Sequence, residues 1–213
     1  MVPDQRKNSR LGLILTINII DIGLGNIRSI EHWLEQSNLS SRRVTSPSSF
    51  PEGAIVIPGV SSVGEYMRRL KKSGLDKEIL ERADKGQKII GICLGFQILT
   101  NYSEEDSGVA CLGLLDGCAK YIDGNKTHNG WESCEIDSRN ASGYANLPKK
   151  NKKIVRGRVY FNHELSVTLD SQCYSKTLDN GIVSFAFRDN IFGFQFHPEK
   201  SQQTGREILK LVV

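Results

Sequence analysis

A cysteine on a predicted strand-to-helix turn is the residue best suited to covalent chemistry. Cys93 lies between Gly91 and Gly95, after a predicted strand at 88–92 and before a predicted helix at 94–101. A nucleophile on such a turn needs neighbours without bulk, which the glycines supply. The positive end of the predicted helix would favour the reactive thiolate. We predict a nucleophile here, with a buried structural cysteine as the open alternative.

A base for this thiol is expected near the C-terminal end. A predicted strand at 191–196 leads into His197, Pro198 and Glu199. Pro198 favours an extended backbone at His197, and residues two apart in an extended chain point the same way. Glu199 would then reach the imidazole and fix its tautomer. Cys93, His197 and Glu199 therefore have the types expected of a nucleophile, a base and an orienting acid.

Two backbone positions are expected to stabilise the oxyanion that such a nucleophile creates. The amide of Leu94 follows the nucleophile directly. The loop Pro58-Gly59-Val60-Ser61 follows a predicted strand, and Pro-Gly marks a tight turn with exposed amides. A second oxyanion donor from this loop is one interpretation. An ordinary surface loop is the alternative.

The elements that would position these residues follow an alternating pattern. Up to about residue 105, apolar segments of strand length at 13–20, 54–57 and 88–92 alternate with amphipathic helical segments. This rhythm predicts an α/β fold with a mostly parallel central sheet flanked by helices. Shorter segments then predict additional antiparallel hairpins, with strands at 119–122, 134–136, 154–155, 159–161, 181–187 and 191–196, and a closing helix at 204–211.

The chain length predicts one domain behind a short tail. We expect a polar N-terminal extension at 1–12 and a single domain at 13–213. Arg6, Lys7 and Arg10 before the first apolar run are superficially like a signal peptide. Asn18 interrupts that run, so we interpret it as a core strand. The basic run at 149–153 is either an exposed hairpin tip or a patch facing a partner.

Composition excludes several classes of protein. The net charge is only +4 among 213 residues, which argues against a strong polyanion binder. The five cysteines are irregularly spaced and form no Cys-x-x-Cys pair, which argues against a disulfide framework and a structural zinc site. We expect a protein of the reducing cytoplasm. No metal or organic cofactor is expected, and neither a nucleic acid nor a membrane is an expected partner.

Two segments carry a resemblance to a known family. Gly-Ile-Cys-Leu-Gly-Phe-Gln at 91–97 and Phe-Gln-Phe-His-Pro-Glu-Lys-Ser at 194–201 resemble the triad-type (class I) glutamine amidotransferases. Further segments resemble, more narrowly, the HisH-type glutaminase subunits of imidazole glycerol phosphate synthase. These are the segments at 21–29, 57–60 with 67–70, and Gly130-Trp131. The resemblance extends from about residue 14 to residue 212.

The resemblance implies a function for each candidate residue. Cys93 would attack the side-chain amide of glutamine, His197 would shuttle the proton, and Glu199 would orient His197. The resemblance also implies the residues expected to bind substrate, which are Gly59 and Gln97 for glutamine and the amides of Val60 and Leu94 for the oxyanion.

The resemblance also implies a partner. Chains of this type form a heterodimer with a HisF-like (β/α)₈ cyclase subunit. They channel ammonia to it for a lyase reaction of histidine biosynthesis, which consumes a phosphoribulosyl-formimino aminoimidazole carboxamide ribonucleotide. The glutaminase is typically near-silent until the barrel binds that ligand.

Departures from the family pattern keep other interpretations open. Ser61 and Glu132 stand where Gly and Asn are usual, and Asn162 and Glu164 flank His163 where Val and Ser are usual. One alternative is an ammonia donor for amidination of a surface-polysaccharide sugar. Another is a non-catalytic scaffold subunit, and a third is an unrelated cysteine hydrolase of α/β type.

Overall fold

A computed structural model describes residues 16–123, 126–141 and 153–213. The predicted extension at 1–12, the start of the first predicted strand, and residues 149–152 of the basic run lie outside the described residues. Within the described ranges, no helix is long and apolar enough to cross a membrane.

The described residues form five α-helices and thirteen strands. The helices are α1 Ile27–Glu35, α2 Val63–Ser73, α3 Leu75–Asp84, α4 Leu94–Gln97 and α5 Gln202–Val212. The strands are β1 Thr16–Ile20, β2 Ser40–Val44, β3 Ala54–Ile57, β4 Ile89–Ile92, β5 Tyr102–Ser103, β6 Val109–Ala110, β7 Gly117–Tyr121, β8 His128–Asp137, β9 Ile154–His163, β10 Leu165–Leu169, β11 Tyr174–Thr177, β12 Val183–Arg188 and β13 Ile191–Phe194.

A seven-stranded sheet forms the centre of the fold. Its strand order is β11-β12-β13-β4-β3-β1-β2. The five strands from β13 to β2 pair in parallel, and β12 and β11 continue the sheet in the antiparallel sense. The predicted α/β fold with a mostly parallel sheet and added antiparallel hairpins is confirmed.

Helices cover both faces of this sheet. Apolar residues of α1 and α5 pack into one hydrophobic cluster, and those of α2 and α3 pack into a second cluster on the other face. Strands β3 and β4 are buried along their whole length, as parallel strands covered on both sides must be. The carboxyl end of β4 is therefore held at the middle of the sheet, where ligands commonly bind in open α/β folds.

Two smaller sheets lie beside the central one. One has the strand order β10-β7-β5-β6. The other is a long ribbon of β8 and β9 in which His128 lies opposite His163. The strands predicted at 154–155 and 159–161 are wrong as separate elements, because Gly157 continues the ladder opposite Cys134 and joins them in β9.

The helix predicted at 94–101 is also wrong in its length, because α4 ends at Gln97. The carbonyl of Ile98 accepts from Leu112 N, and the carbonyl of Leu99 accepts from Leu114 N and Leu115 N. These bonds from a distant segment replace the next turns of the helix. The side chains of Ile98 and Leu99 are buried in the core all the same, which explains the apolar pattern that suggested a longer helix.

Candidate active site

Cys93 occupies a strained turn at the carboxyl end of β4. Its backbone has φ +54° and ψ −111°, a region that residues other than glycine rarely adopt. Cys93 N donates to Phe194 O at 2.7 Å, which ties the turn to the neighbouring β13. Strain of this kind persists only where the surroundings impose it, and it is common at functional sites.

Close backbone approach explains the two flanking glycines. A Cβ on Gly91 would lie 2.5 Å from Gly95 O, and a Cβ on Gly95 would lie 1.9 Å from Ile57 O. Neither distance is possible without moving the backbone. The expectation that positions 91 and 95 must lack side chains is confirmed. The macrodipole expected to favour the thiolate is weaker than that of a long helix, because α4 has only four residues.

His197 and Glu199 lie beside the thiol as a hydrogen-bonded pair. His197 Nδ1 is 2.8 Å from Glu199 Oε1, and both side chains are buried. The extended backbone predicted for His197 is confirmed at φ −98° and ψ 93°. Glu199 reaches the imidazole from a short 3₁₀ turn, Pro198–Lys200, rather than from a continuing extended chain.

Further hydrogen bonds fix this pair. Asn26 Nδ2 donates a hydrogen bond to Glu199 Oε1. His197 N donates to Tyr160 O at 2.8 Å, and Ser201 Oγ donates to His197 O at 2.6 Å. Sequence reasoning did not identify Asn26 as a site residue, although it lies in the segment at 21–29 that carries the resemblance.

The electrostatics of the pair favour a charged imidazole. Burial by itself lowers the pKa of His197, but hydrogen bonds with Cys93 and Glu199 outweigh burial and raise this pKa to about 10. His197 is therefore protonated at neutral pH. An imidazolium in contact with a thiol stabilises the thiolate, which is the nucleophilic form.

A cavity of about 260 Å³ opens over Cys93. It is lined by Gly59, Val60, Ser61, Cys93, Leu94, Gln97, Glu105, Thr127, Asn162, His163, Glu164 and Leu165. The four residues predicted to bind glutamine or the oxyanion are thus brought to one cavity with the thiol. Larger hollows of about 580 and 730 Å³ lie on other faces, and Cys93 lines neither.

One carbonyl organises the floor of this cavity. Leu165 O accepts from Gln97 Nε2 at 3.1 Å and from His163 Nδ1 at 2.7 Å. Asn162 O lies 3.7 Å from Cys93 Sγ. Burial lowers the pKa of His163 to about 4, so this imidazole is neutral where His197 is charged. His163 lies in a segment that departs from the family pattern, and no catalytic role was predicted for it.

Two carboxylates, Glu105 and Glu164, line the same cavity, and sequence reasoning missed Glu105 as a site residue. Burial raises the pKa of Glu105, and the negative charges of Asp106 and Glu164 raise it further. The hydrogen bond from the backbone N–H of Val63 acts in the opposite direction. Val63 N donates to Glu105 Oε2 at 2.7 Å. Thr127 Oγ1 donates to Glu164 Oε1 at 3.4 Å. The cavity therefore suits a small polar molecule that carries a cationic group.

The arrangement has the parts needed for acyl transfer through a thiol. A buried thiol contacts a charged imidazole, a carboxylate holds that imidazole, and a small polar cavity lies over the sulphur. Val60 and Leu94 line this cavity together with Cys93.

Comparisons with known proteins agree with this chemistry. The family model for class-I glutamine amidotransferases matches residues 18–213. Among similar curated proteins are imidazole glycerol phosphate synthase subunits HisH. That of Oceanobacillus iheyensis is 34% identical over 200 residues, covering 91% of this chain and 96% of that protein. That of Bacillus subtilis is 33% identical over 205 residues, covering 91% and 93%.

Solved structures share the fold at lower sequence identity. A crystal structure described as a glutamine amidotransferase has a TM-score of 0.73 at 14% identity, and covers 92% of this chain and 96% of its own. The PurLQS structure from Thermotoga maritima has a TM-score of 0.72 at 20% identity, with coverage of 94% and 98%. At these identities the likeness concerns the fold alone.

Proposed function

The chain belongs to the class-I glutamine amidotransferases, and we propose that it is the glutaminase subunit of an imidazole glycerol phosphate synthase. The observation that supports this most directly is the contact of Cys93, His197 and Glu199 beside a small polar cavity. The similarity to HisH subunits over 91% of the chain supports the narrower assignment.

The reaction begins with the charged pair. The thiolate of Cys93 attacks the amide carbon of the glutamine side chain, and the amide oxygen becomes an oxyanion that the amides of Val60 and Leu94 stabilise. His197 gives its proton to the departing nitrogen. The carbon–nitrogen bond breaks, ammonia leaves, and a glutamyl thioester remains on Cys93.

A water molecule completes the cycle. Water gives a proton to His197 and attacks the thioester carbon. The carbon–sulphur bond breaks, glutamate leaves, and the thiolate and imidazolium are restored. Glu199 accepts from His197 Nδ1 throughout, so the other ring nitrogen faces the reacting groups.

The remaining cavity residues hold the substrate. Gln97 is buried, and its amide is fixed by Leu165 O, so it presents the rest of its polar side chain in one orientation. Gly59 lines the cavity and packs its loop against α4, since a Cβ there would lie 2.4 Å from Leu94 Cβ. Glu105 faces the same cavity and accepts from the α-ammonium group of glutamine, since a carboxylate is the strongest acceptor for a cation.

The proposal includes an acceptor for ammonia. A HisF-like (β/α)₈ barrel forms a heterodimer with this chain, receives ammonia through an internal channel, and uses it in the lyase step of histidine biosynthesis. The support is that the similar HisH proteins are subunits of a synthase and therefore work in an assembly. A cytoplasmic location belongs to the same proposal, because a biosynthetic pathway for an amino acid operates there.

The test measures glutamate release from glutamine by this chain mixed with the HisF-like barrel of the same source. The expected result is hydrolysis that the ribonucleotide substrate stimulates and that Cys93→Ala abolishes in a folded protein. Hydrolysis unchanged by Cys93→Ala would refute the catalytic assignment. Hydrolysis that a bound barrel and its ligand fail to stimulate would refute the histidine-pathway acceptor and favour another, such as a sugar to be amidinated.

A further inference from the structure

The first turn of α2 is capped from a distant segment. Val63 N donates to Glu105 Oε2 at 2.7 Å, and Gly64 N donates to Asp106 Oδ2 at 2.8 Å. Glu65 N donates to Ser62 Oγ at 3.4 Å. An ordinary N-cap residue accepts from one backbone N–H of the first turn. Here three such N–H groups have side-chain acceptors, and two of the acceptors come from residues 42 positions away in sequence.

The capping segment is held in a conformation that costs free energy. Asp106 has φ +53° and Ser107 has φ +65°, and neither is a glycine. Glu105 N donates to Ser103 Oγ at 3.2 Å, and Glu104 N donates to Ala119 O at 2.9 Å. These bonds anchor the segment to β5 and β7, so its two carboxylates form a fixed support.

The support lies at one end of the 58–62 loop, which connects β3 to α2. The other end is held by packing, since a Cβ on Gly59 would lie 2.4 Å from Leu94 Cβ. Between the two ends, Val60 and Ser61 are exposed and line the cavity over Cys93. The cap at Val63 and Gly64 therefore limits how far the peptide groups of residues 60 and 61 can move.

We propose that Asp106 is a positioning residue for the oxyanion loop, acting through Gly64 to hold the amide of Val60 over Cys93. This inference rests on the proposed glutaminase function. Glu105 shares its carboxylate between Val63 N–H and the substrate cavity, so it connects occupancy of the cavity to the same loop. Asp106 does not line the cavity, and its hold is independent of substrate.

Two variants break the contact from opposite sides. Asp106→Gly removes the carboxylate while favouring the left-handed backbone that position 106 adopts. Gly64→Ala places a Cβ 2.6 Å from Asp106 Oδ2 and displaces that carboxylate, while alanine favours the helix. In the presence of the barrel partner and its ligand, we expect each variant to lower kcat about tenfold, since a misplaced oxyanion donor weakens transition-state binding. KM should change by less than about threefold, because the contacts with substrate are kept.

A matched control separates positioning from helix stability. Ser73→Ala removes a hydroxyl at the far end of α2, where Ser73 Oγ donates to Leu70 O, and should leave kcat unchanged. Asp106→Asn keeps an acceptor for Gly64 N and should retain most of the wild-type kcat.

The rate at which iodoacetamide alkylates Cys93, followed on its peptide by mass spectrometry, should stay constant in these variants because the contact of Cys93 with His197 is untouched.

Hydrogen exchange supplies a readout that needs no turnover. Asp106→Gly should speed amide exchange in residues 59–64 and leave β4 protected. Unchanged kcat, or unchanged exchange at 59–64, would overturn the inference. Absence of glutamate release by the wild-type complex would instead refute the proposed function, and exchange at 59–64 would still decide whether Asp106 holds the loop.

Discussion

Asn26 and Glu199, 173 positions apart in sequence, are joined by a hydrogen bond from the asparagine amide to the carboxylate oxygen that also holds His197. Asn26 occupies the N-cap position of α1, yet its side chain makes no hydrogen bond to the helix. The asparagine therefore fixes the orientation of Glu199 instead of the end of a helix. A second hydrogen bond to a buried carboxylate restricts the imidazole that depends on it.

Asn26→Ala should lower kcat for glutamine hydrolysis about tenfold, since a hydrogen bond to a charged group contributes roughly 1.5 kcal/mol or more. Thermal stability should also fall, because Glu199 stays buried with one hydrogen bond fewer. Steady-state kinetics and thermal denaturation check both expectations. Gln36→Ala, at the opposite end of α1, is the control. Wild-type kcat in Asn26→Ala would show that His197 and Glu199 hold their geometry without the asparagine.

Cys93→Ala should lower the pKa of His197 from about 10, because it removes one of the two hydrogen bonds that outweigh burial. A histidine whose pKa is raised on folding contributes stability fully below about pH 6.5, and the contribution is lost as the pH rises through the folded pKa. The stability gap between wild type and variant should therefore change between pH 6.5 and 10. NMR titration of the imidazole protons measures the pKa. An unchanged pKa would contradict the pairing of thiol and imidazole.

His163 should make the protein less stable in acid. Burial lowers its pKa to about 4, so the unfolded chain binds more protons than the folded chain between pH 6.5 and 4. Stability should fall across that window by up to about 3 kcal/mol from this residue. Urea denaturation of wild type and His163→Asn at pH 7.5 and pH 5 measures this loss of stability. Asparagine is chosen because it retains a donor for Leu165 O. Equal acid sensitivity in the two proteins would assign the effect to other groups.

Gly95→Ala should destabilise the fold by about 3 kcal/mol or more, because a Cβ at 1.9 Å from Ile57 O forces β3 and α4 apart. Gly86→Ala is the contrasting variant. Position 86 has φ +80° and open space around it, so only backbone strain of about 1 kcal/mol is expected. Equilibrium denaturation measures both. Similar losses in the two variants would mean that the backbone relaxes around a Cβ at position 95 and that the close approach of β3 does not require glycine there.

Sequence periodicity predicted the buried part of the fold well and the edge of the sheet poorly. Strands β3 and β4 are entirely apolar, and their predicted positions agree with the structure. The edge strand β2 was not predicted because its residues, Ser-Ser-Arg-Arg-Val, are mostly exposed and bury only Val44. Its pairing with β1 is a property of the assembled sheet, which no local pattern records.

The candidate site was predictable where chemistry and local geometry coincide. Cys93 between two glycines, and His197 before a proline, carry their own backbone signals. Asn26 and Glu105 carry no such signal, since each becomes part of the site only through a contact from a remote segment. The length of α4 was not predictable for the same reason, because bonds from residues 112–115 end it.

The position of β13 in the sheet has a consequence for biosynthesis. β4, which precedes Cys93, has β13 as one of its two neighbours, and β13 is the last of the described strands to leave the ribosome. At roughly 5–20 residues per second, Glu199 emerges several seconds or more after Cys93. Until then β4 has an open edge and the thiol has neither base nor acid. A nascent chain without β13 thus exposes an aggregation-prone edge, and it carries the thiol without the residues predicted to activate it.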